Sequence, residues 1–304
     1  VKRLRPSTAK DYRAELDKLQ AEWGSARLSA ITPSLIGSYV QRMRDKGLSE
    51  ARISNRCKPL QGTLRYAFEE GWLPTNPWQR VRHKPRSSTT REHRPWTSED
   101  VRKVIEAARE LGSRPTARYD YSPIIEFLFG TGLRLGEALG LRWGDVSFPE
   151  GVLFVSRQMG RDGAVTAPKT LKGFRRVPLS PALLASLRAH RERQMALDLH
   201  ANEHCVFAGA NGKPPSHNNF RRRGWNEAIQ RAGLEGEAGG PPHDARHGFV
   251  SVLKAKGTPS SVIAAIVGHA DTSMVDRIYT HPFDRNEQEQ QVREALTVAL
   301  GGRS

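Results

Sequence analysis

Histidine, arginine and tyrosine side chains that suit chemistry at a phosphate lie close together near the end of this chain. His243, Arg246 and His247 are spaced i, i+3 and i+4, so on a helix they leave one face together and could meet a single anion. A guanidinium binds a phosphate bidentately, and an imidazole can move a proton to or from an attacking oxygen. His269 and Tyr279 follow, and a tyrosine can form a covalent intermediate. The spacing therefore indicates a phosphate as the reacting group.

A second arginine, Arg134, follows the turn Thr131-Gly132-Leu133. Here the chain resembles the tyrosine recombinase, or phage integrase, family. The family signature is an arginine after a Thr-Gly-hydrophobic turn, a lysine on a β-hairpin, His-x-x-Arg-His, a Gly-His pair and a nucleophilic tyrosine about ten residues later. Every element occurs in that order, and the resemblance extends over the N-terminal region to cover most of the chain. One departure is Ala245, which is smaller than the large apolar residue usual before the box arginine.

The resemblance implies a role for each motif residue. The two arginines would hold the non-bridging oxygens of the scissile phosphate, and two histidines would bind it and help to take the proton from the tyrosine. Glu137 would hold an arginine, and His247 would steady its helix. The implied catalytic residues are Arg134, Lys169, His243, Arg246, His269 and Tyr279.

Two lysines compete for the role of general acid. Both lie in the turn Pro168–Gly173, but Lys169 directly follows the predicted strand and precedes Thr170, as in the family's Lys-Thr turn. Lys172 is nearer the loop tip. We therefore predict that Lys169 protonates the leaving 5′-oxygen and that Lys172 contacts the DNA backbone.

Each of these residues also has a simpler interpretation. An arginine can be a surface salt-bridge partner, and a tyrosine can be a half-buried aromatic residue of an amphipathic helix. His243 and His247 also mimic a zinc-protease box, but that box requires glutamate after the first histidine, and this chain has Asp244. We therefore predict neither a metal nor another cofactor.

The charge of the chain favours a polyanionic partner. Its 304 residues include 48 Lys and Arg against 32 Asp and Glu, a formal net charge of +16. Residues 1–85 carry 17 of the basic and 8 of the acidic residues, so this part is the more basic. Double-stranded DNA is the predicted partner.

The cysteines and the apolar runs indicate the compartment. Cys57 and Cys205 are far apart and lack C-x-x-C spacing, which indicates neither a disulfide framework nor a zinc ribbon. The apolar run 262–267 is too short to span a bilayer, and we predict a soluble cytoplasmic protein without a membrane partner. The chain begins at Val1, so a segment could have been removed; we expect no room in the sequence for the arm-binding domain of many integrases.

Three helices are predicted in the first 85 residues. Apolar residues recur at helical spacing after Ser7 or Thr8, a possible N-cap, and after Thr32-Pro33. A third apolar pattern runs from Ile53 to Phe68, and Pro59 should kink this helix or mark its beginning. The basic stretch 86–95 reads as a linker. The predicted DNA contacts of these two regions and of the catalytic turn are Asn55, Lys58, Arg65, Lys84, Arg86 and Lys172.

A second domain is predicted to begin with a capped helix at 96–100. A small antiparallel sheet follows, with strands at 152–155, 164–166 and 176–179, and Pro178 should place its strand at an edge or at its end. Helices resume at 181–199 and 218–232, and a loop delivers His243 to the head of the next helix. The pattern of 286–300 predicts a last amphipathic helix that docks on a neighbouring subunit.

These observations predict a mainly α fold with a small antiparallel sheet, arranged as a two-domain DNA clamp. The predicted parts are a core-binding domain over 1–85, the linker 86–95, a catalytic domain over 96–284 and a tail helix over 285–304. The resemblance implies site-specific recombination at core sites through a 3′-phosphotyrosyl intermediate, by a homo-tetramer on DNA with possible accessory bending or directionality proteins. The alternatives are a type IB topoisomerase activity and a non-catalytic DNA-binding protein.

Overall fold

The described part of the chain divides into two compact units. A computed structural model describes residues 6–85, 96–168, 173–236, 240–269, 272 and 275–276. The first unit comprises the described residues up to 85, and the second comprises those from 96 onward. The predicted linker 86–95 and tail helix 285–304 lie outside the described residues.

The first unit is built from three α-helices around one apolar core. The second of them begins where the sequence predicts, because the hydroxyl of Thr32 accepts a hydrogen bond of 3.2 Å from the backbone N–H of Leu35. The helices are α1 Pro6–Trp23, α2 Pro33–Asp45 and α3 Glu50–Glu69, with short 3₁₀ turns at Leu28–Ala30 and Pro77–Arg80. Their core includes the fully buried side chains Ile36, Val40, Ile53, Cys57 and Leu64.

One local prediction for this unit is wrong, and the structure adds two details of α3. Helix α1 already includes Ser7 and Thr8, because proline is compatible with a first helical turn and the helix begins at Pro6. Helix α3 begins at Glu50 and continues across Pro59, so Pro59 does not begin it. Because proline has no N–H, the carbonyl of Asn55 lacks its helical donor, and Asn55 is an exposed residue. At the end of the apolar pattern, Ala67 is buried in the core and Phe68 is 43% exposed.

The second unit begins with α4 Ser98–Gly112, and the predicted cap is confirmed. The Thr97 hydroxyl accepts from the N–H of Asp100, and the Asp100 carboxylate accepts from the N–H of Thr97, so two terminal donors are satisfied reciprocally. Next come α5 Ser122–Thr131 and the short α6 Leu135–Leu139. The core around them includes the fully buried side chains Phe127, Leu128, Trp143, Phe207, Phe220 and Trp225.

The β-structure forms two small antiparallel sheets instead of the single sheet predicted. The first has the strand order β1-β2-β5, from β1 Val146–Ser147, β2 Val152–Val155 and β5 Arg175–Pro178. The second pairs β3 Gln158–Met159 with β4 Val165–Thr166. Strands β2 and β5 pair with each other across the intervening β3–β4 hairpin, which forms the separate second sheet. Strand β5 is at an edge and ends at Pro178, as predicted.

The remaining helices carry the C-terminal motif. They are α7 Pro181–Met195, α8 His217–Asn219, α9 Asn226–Arg231, α10 Asp244–Ala255 and α11 Ser260–Val267. The helix predicted over 218–232 contains a π-helical stretch at Phe220–Trp225, which is wider than an α-helix and therefore escapes a 3.6-residue pattern. Helix α7 ends four residues before the predicted Leu199. Among the described residues, no helix has both the length and the apolar character needed to cross a membrane.

Candidate active site

Arg134 is positioned by a tight turn between two helices. Helix α5 is capped by Gly132, whose φ of +62° is a left-handed conformation that favours glycine. Arg134 then occupies the N-cap of α6, where its backbone N–H donates to Glu137 at 2.9 Å and its Nη1 donates to the same carboxylate at 3.0 Å. The side chain of Arg134 remains 42% exposed, so its guanidinium can meet a ligand from solvent.

Arg246 is buried beneath this turn and joins two distant parts of the chain. It lies on α10 and is 1% exposed. Its Nη1 donates to the carbonyl of Gly132 at 2.8 Å, and its Nη2 donates to the carbonyl of Val267 at 2.5 Å. Because these carbonyls stand two residues before Arg134 and two residues before His269, Arg246 brings three predicted site residues into one neighbourhood.

His243 and His247 stand at the start of α10, as their spacing predicts. Their rings meet edge to face with centroids 5.1 Å apart. His243 is the N-cap residue with helical dihedral angles (φ −66°, ψ −20°), so both rings leave the same face as Arg246. The small residue between them is explained by packing, since Ala245 is fully buried in the core of the unit.

His269 is delivered by the end of α11. Gly268 adopts φ +71°, and the N–H of His269 donates to the carbonyl of Ala264 at 2.9 Å, which closes the helix with a left-handed cap. The ring nitrogen Nδ1 of His269 is buried and has no hydrogen-bond partner among the described residues. An unpaired buried polar atom is costly, so the site suits a ligand that would satisfy it.

The electrostatics of the site keep both histidines neutral. Exclusion of water around the rings is the main cause, and the neighbouring cations add to it. Together they lower the pKa of each ring to about 4. The charges that act on His243 are those of His247, Arg246, Arg134 and His269. The charges that act on His269 are those of Arg246, Arg134, His247 and Arg175. Part of His243 nevertheless reaches solvent. Near neutral pH both imidazoles can therefore accept a proton, and the excess of positive charge favours an anion.

Arg175 belongs to this neighbourhood and was missed in the sequence. Its Nη2 donates to Glu137 at 2.8 Å, and the side chains of the pair are 6% and 3% exposed. Burial alone would raise the pKa of Glu137, but the hydrogen bond and charge of Arg175, together with Arg134, lower it. A usable signal exists in the strand, because Arg175 shares the period-2 face of buried Val177, and an arginine on an inward face requires an anionic partner.

Several predicted site residues cannot be placed. Lys169, Lys172, Tyr279 and Arg86 lie outside the described residues. The ends of the lysine turn are described, and a side chain on Gly173 would meet Cβ of Pro168 at 2.3 Å, so the two ends of this turn are in close approach.

Val275 and Asp276, which precede Tyr279 by four and three residues, are held by apolar and polar contacts. Asp276 accepts hydrogen bonds from the Ser260 hydroxyl at 2.7 Å and from Lys254 at 3.3 Å, and Val275 is fully buried. Three residues of chain span at most ~10 Å, which limits the distance between Asp276 and the Cα of Tyr279.

The alternative nucleophiles are poorly suited. The Tyr119 hydroxyl donates to the carbonyl of Phe207 at 2.8 Å, and burial raises its pKa. Burial also raises the pKa of Tyr121. For the zinc alternative, no group of three or more His, Cys, Asp or Glu side chains within the described ranges could hold a metal ion.

The four predicted DNA contacts that are described all lie on the surface of the first unit. Asn55, Lys58, Arg65 and Lys84 are exposed. Lys58 donates to the Asn55 side chain at 2.6 Å, so these two residues form one polar group on α3. The exposed positions are compatible with backbone contacts, and their role stays a prediction.

Comparisons with known proteins agree with this arrangement. The model of the phage integrase family matches residues 95–286. A XerC-like tyrosine recombinase of Caldanaerobacter subterraneus subsp. tengcongensis is 27% identical over 285 residues, with 86% of this chain and 70% of the relative covered. The prophage integrase IntR of Escherichia coli K12 is 27% identical, with 82% of this chain and 62% of the relative covered.

Solved structures show the same fold. The Tn1549 transposon integrase in complex with a circular intermediate DNA superposes with a TM-score of 0.78 at 22% identity, covering 95% of this chain and 94% of that one. A lambda integrase dimer bound to a core site has a TM-score of 0.69 at 19% identity, with 93% of each chain covered. With the family model matching well over half of its length, this chain belongs to the phage integrase family.

Proposed function

We propose that this chain is a site-specific DNA recombinase that cleaves and rejoins DNA through a 3′-phosphotyrosyl intermediate. The observation that carries the proposal is the double contact of Arg246 with the carbonyls of Gly132 and Val267. It gathers one exposed arginine, one buried arginine and two neutral histidines around a place suited to a phosphate. Membership of the phage integrase family supports the same activity.

In the proposed first step, the Tyr279 oxygen attacks the scissile phosphorus. The bond from phosphorus to the 5′-oxygen breaks, and the tyrosine proton passes to His243 or His269. Arg134 and Arg246 offset the charge that grows on the non-bridging oxygens, and loss of one such donor typically costs about 3–4 kcal/mol of transition-state stabilisation. The phosphate charge also raises the pKa of the neighbouring imidazoles, which makes them better proton acceptors than in the DNA-free chain.

The leaving 5′-oxygen needs a proton, which we assign to Lys169. In the second step the 5′-hydroxyl of a partner strand attacks the phosphotyrosyl link, its proton returns to the lysine, and Tyr279 is released with the histidine-held proton. The phosphodiester energy is kept in the protein–DNA bond throughout. Sulfur at the bridging 5′ position needs no such proton. A substrate with this sulfur should therefore restore cleavage by Lys169→Ala and increase the cleavage rate of Lys172→Ala only slightly.

The proposed partner is double-stranded DNA at specific core sites, bound by both units of the chain in the cytoplasm. Lambda integrase has been seen as a dimer on a core site, and XerH has been seen bound to a palindromic substrate. We extend this to a homo-tetramer on two duplexes, with accessory bending or directionality proteins. The exposed residues Asn55, Lys58, Arg65 and Lys84 are proposed backbone contacts of the first unit.

Trapping on a nicked duplex tests the proposal. The core site is first selected from a random-sequence duplex library and then synthesised with a nick beside the cleavage position, so that the short product leaves and the adduct accumulates. A covalent adduct together with strand exchange between two duplexes supports recombination. Relaxation of supercoiled DNA without exchange would favour a type IB topoisomerase activity, and binding without an adduct would favour a non-catalytic protein.

A further inference from the structure

Arg175 makes an unusually complete set of hydrogen bonds for a single side chain. Nε donates to the carbonyl of Ile266 at 2.7 Å. Nη1 donates to Glu137 Oε1 and to the carbonyl of Gly173, both at 3.2 Å, and Nη2 donates to Glu137 Oε2 at 2.8 Å. With four of its five N–H groups used and 6% of its side chain exposed, the guanidinium is fixed in one orientation.

Each acceptor of Arg175 belongs to a segment that carries a proposed catalytic residue. Glu137 also accepts from Arg134 at 3.0 Å, so one carboxylate is shared between the buried and the exposed arginine. Gly173 directly follows Lys172 in sequence and lies four residues after Lys169. Ile266 lies three residues before His269 on the last turn of α11. One side chain thus touches three segments that are far apart in sequence.

The sharing of Glu137 has a consequence for Arg134. Glu137 is 3% exposed, and a carboxylate buried to that extent requires a cationic partner. While Arg175 supplies that partner from the interior, Arg134 uses only one N–H of its guanidinium for Glu137 and can present the others to a phosphate. Without Arg175, Arg134 would be the only described cation in contact with the carboxylate and would be drawn towards it.

We propose that Arg175 is a positioning residue for strand cleavage, holding Arg134, Gly173 and the end of α11 in their reactive arrangement without touching the DNA. This inference rests on the proposed function. The alternative is that the ion pair between Arg175 and Glu137 only stabilises the fold. The two interpretations differ in what happens when the charge of Glu137 is removed together with that of Arg175.

The test compares four variants on the selected nicked duplex: Arg175→Met, Arg176→Met, Glu137→Gln and the Arg175→Met/Glu137→Gln pair. Arg176 is the matched control, since it is the next residue, is 60% exposed and contacts Glu150 and the face of the Phe154 ring on the surface. Because displacement of a reacting group by about 1 Å can cost ~10²-fold, Arg175→Met should slow adduct formation by roughly 10- to 100-fold. Affinity for the duplex should change less than twofold, and Arg176→Met should match the unmodified chain.

The double variant separates positioning from stability. With Glu137 neutral, Arg134 is no longer drawn inward, so the pair should form adduct several-fold faster than Arg175→Met alone. A pair as slow as Arg175→Met, or an Arg175→Met variant as fast as the unmodified chain, would overturn the inference.

A conservative variant covers the case in which Arg175→Met does not fold. Arg175→Lys keeps the charge but loses the bidentate fork, so slow cleavage with an unchanged thermal unfolding midpoint supports positioning, and normal cleavage contradicts it. The unmodified chain is run beside every variant. Absence of adduct in all of them, including the unmodified chain, would contradict the proposed function instead of the role of Arg175.

Discussion

The Nη1 of Arg246 donates a hydrogen bond of 2.8 Å to the carbonyl of Gly132, 114 residues earlier in the chain. Through this contact the helix that carries His243 is held against the turn that presents Arg134. The two arginines differ sharply in exposure, since Arg246 is 1% exposed and the side chain of Arg134 is 42% exposed. Because of this difference, we expect substitutions of the two arginines to have similar effects on cleavage but different effects on the free energy of unfolding.

Replacing either arginine by lysine should slow adduct formation by about 10²–10³-fold, because each variant removes a planar donor from the phosphate. Only Arg246→Lys should also reduce the free energy of unfolding, by about 1–3 kcal/mol, since it leaves a buried carbonyl without its donor. Arg134→Lys should change it by less than about 1 kcal/mol. Urea unfolding of both variants measures the free energy of unfolding. Equal reductions in the two variants would show that the contacts of Arg246 with Gly132 and Val267 do not stabilise the fold.

The turn before Arg134 should not tolerate a side chain. Gly132 has φ +62°, and a Cβ there would meet the Phe249 ring at 2.5 Å. Gly132→Ala should therefore reduce the free energy of unfolding by about 1–3 kcal/mol. Gly257→Ala is the control, because Gly257 has φ +75° with open space around its Cβ position, so only the backbone strain of about 1 kcal/mol applies. Equal losses in the two variants would mean that Phe249 moves away freely.

Acid should destabilise the DNA-free chain through His243 and His269. Their folded pKa values of about 4 lie below the ordinary 6.5, so as the pH falls the unfolded chain takes up protons at these positions before the folded chain does. The stability they contribute is fully present above about pH 6.5 and is lost as the pH falls towards 4.

Two measurements check this pH dependence. NMR titration of the ring carbons should place both midpoints well below 6.5, and the urea midpoint of a His243→Gln/His269→Gln variant should depend less on pH between 7 and 4.5. A midpoint at or above the ordinary value for either ring would contradict the electrostatic picture of the site.

The cluster of Lys254, Ser260 and Asp276 should influence the approach of Tyr279. Asp276→Asn keeps the size of the side chain but removes the charge that Lys254 contacts at 3.3 Å. We expect this variant and Lys254→Met each to slow adduct formation on the order of 10-fold, because the contacts precede the proposed nucleophile by three residues. Lys256→Met is the control, since Lys256 is exposed on the same helical end. Adduct formation as fast as in the Lys256→Met control would show that the cluster does not position Tyr279.

Much of the fold could be predicted from the sequence because its signals are local. The cap at Thr32 and the reciprocal cap of Thr97 and Asp100 depend on residues within one turn of each other. The end of β5 at Pro178 follows from the missing N–H of proline. Two other features have a different origin. Helix α3 continues through Pro59 because the carbonyl that lacks a donor belongs to an exposed residue, and the π-helical stretch before Asn226 does not follow a 3.6-residue pattern.

The candidate site shows the same division. His243, Arg246 and His269 were predictable because motif spacing identifies them. Arg175 was not, because its partners Glu137 and Ile266 lie 38 and 91 residues away. Only its inward strand position beside Val177 hints at burial, and that hint requires the strand register to be known.

Mapping the covalent adduct tests the central claim most directly. The chain has six tyrosines, and trypsin would release Tyr279 alone in the peptide from Ile278 to Arg285. After trapping on the nicked duplex and digestion with nuclease and trypsin, mass spectrometry should find the residual nucleotide on this peptide, and Tyr279→Phe should bind the duplex without forming an adduct. A nucleotide on the peptide that contains Tyr119 and Tyr121, or an adduct that persists in Tyr279→Phe, would contradict the account.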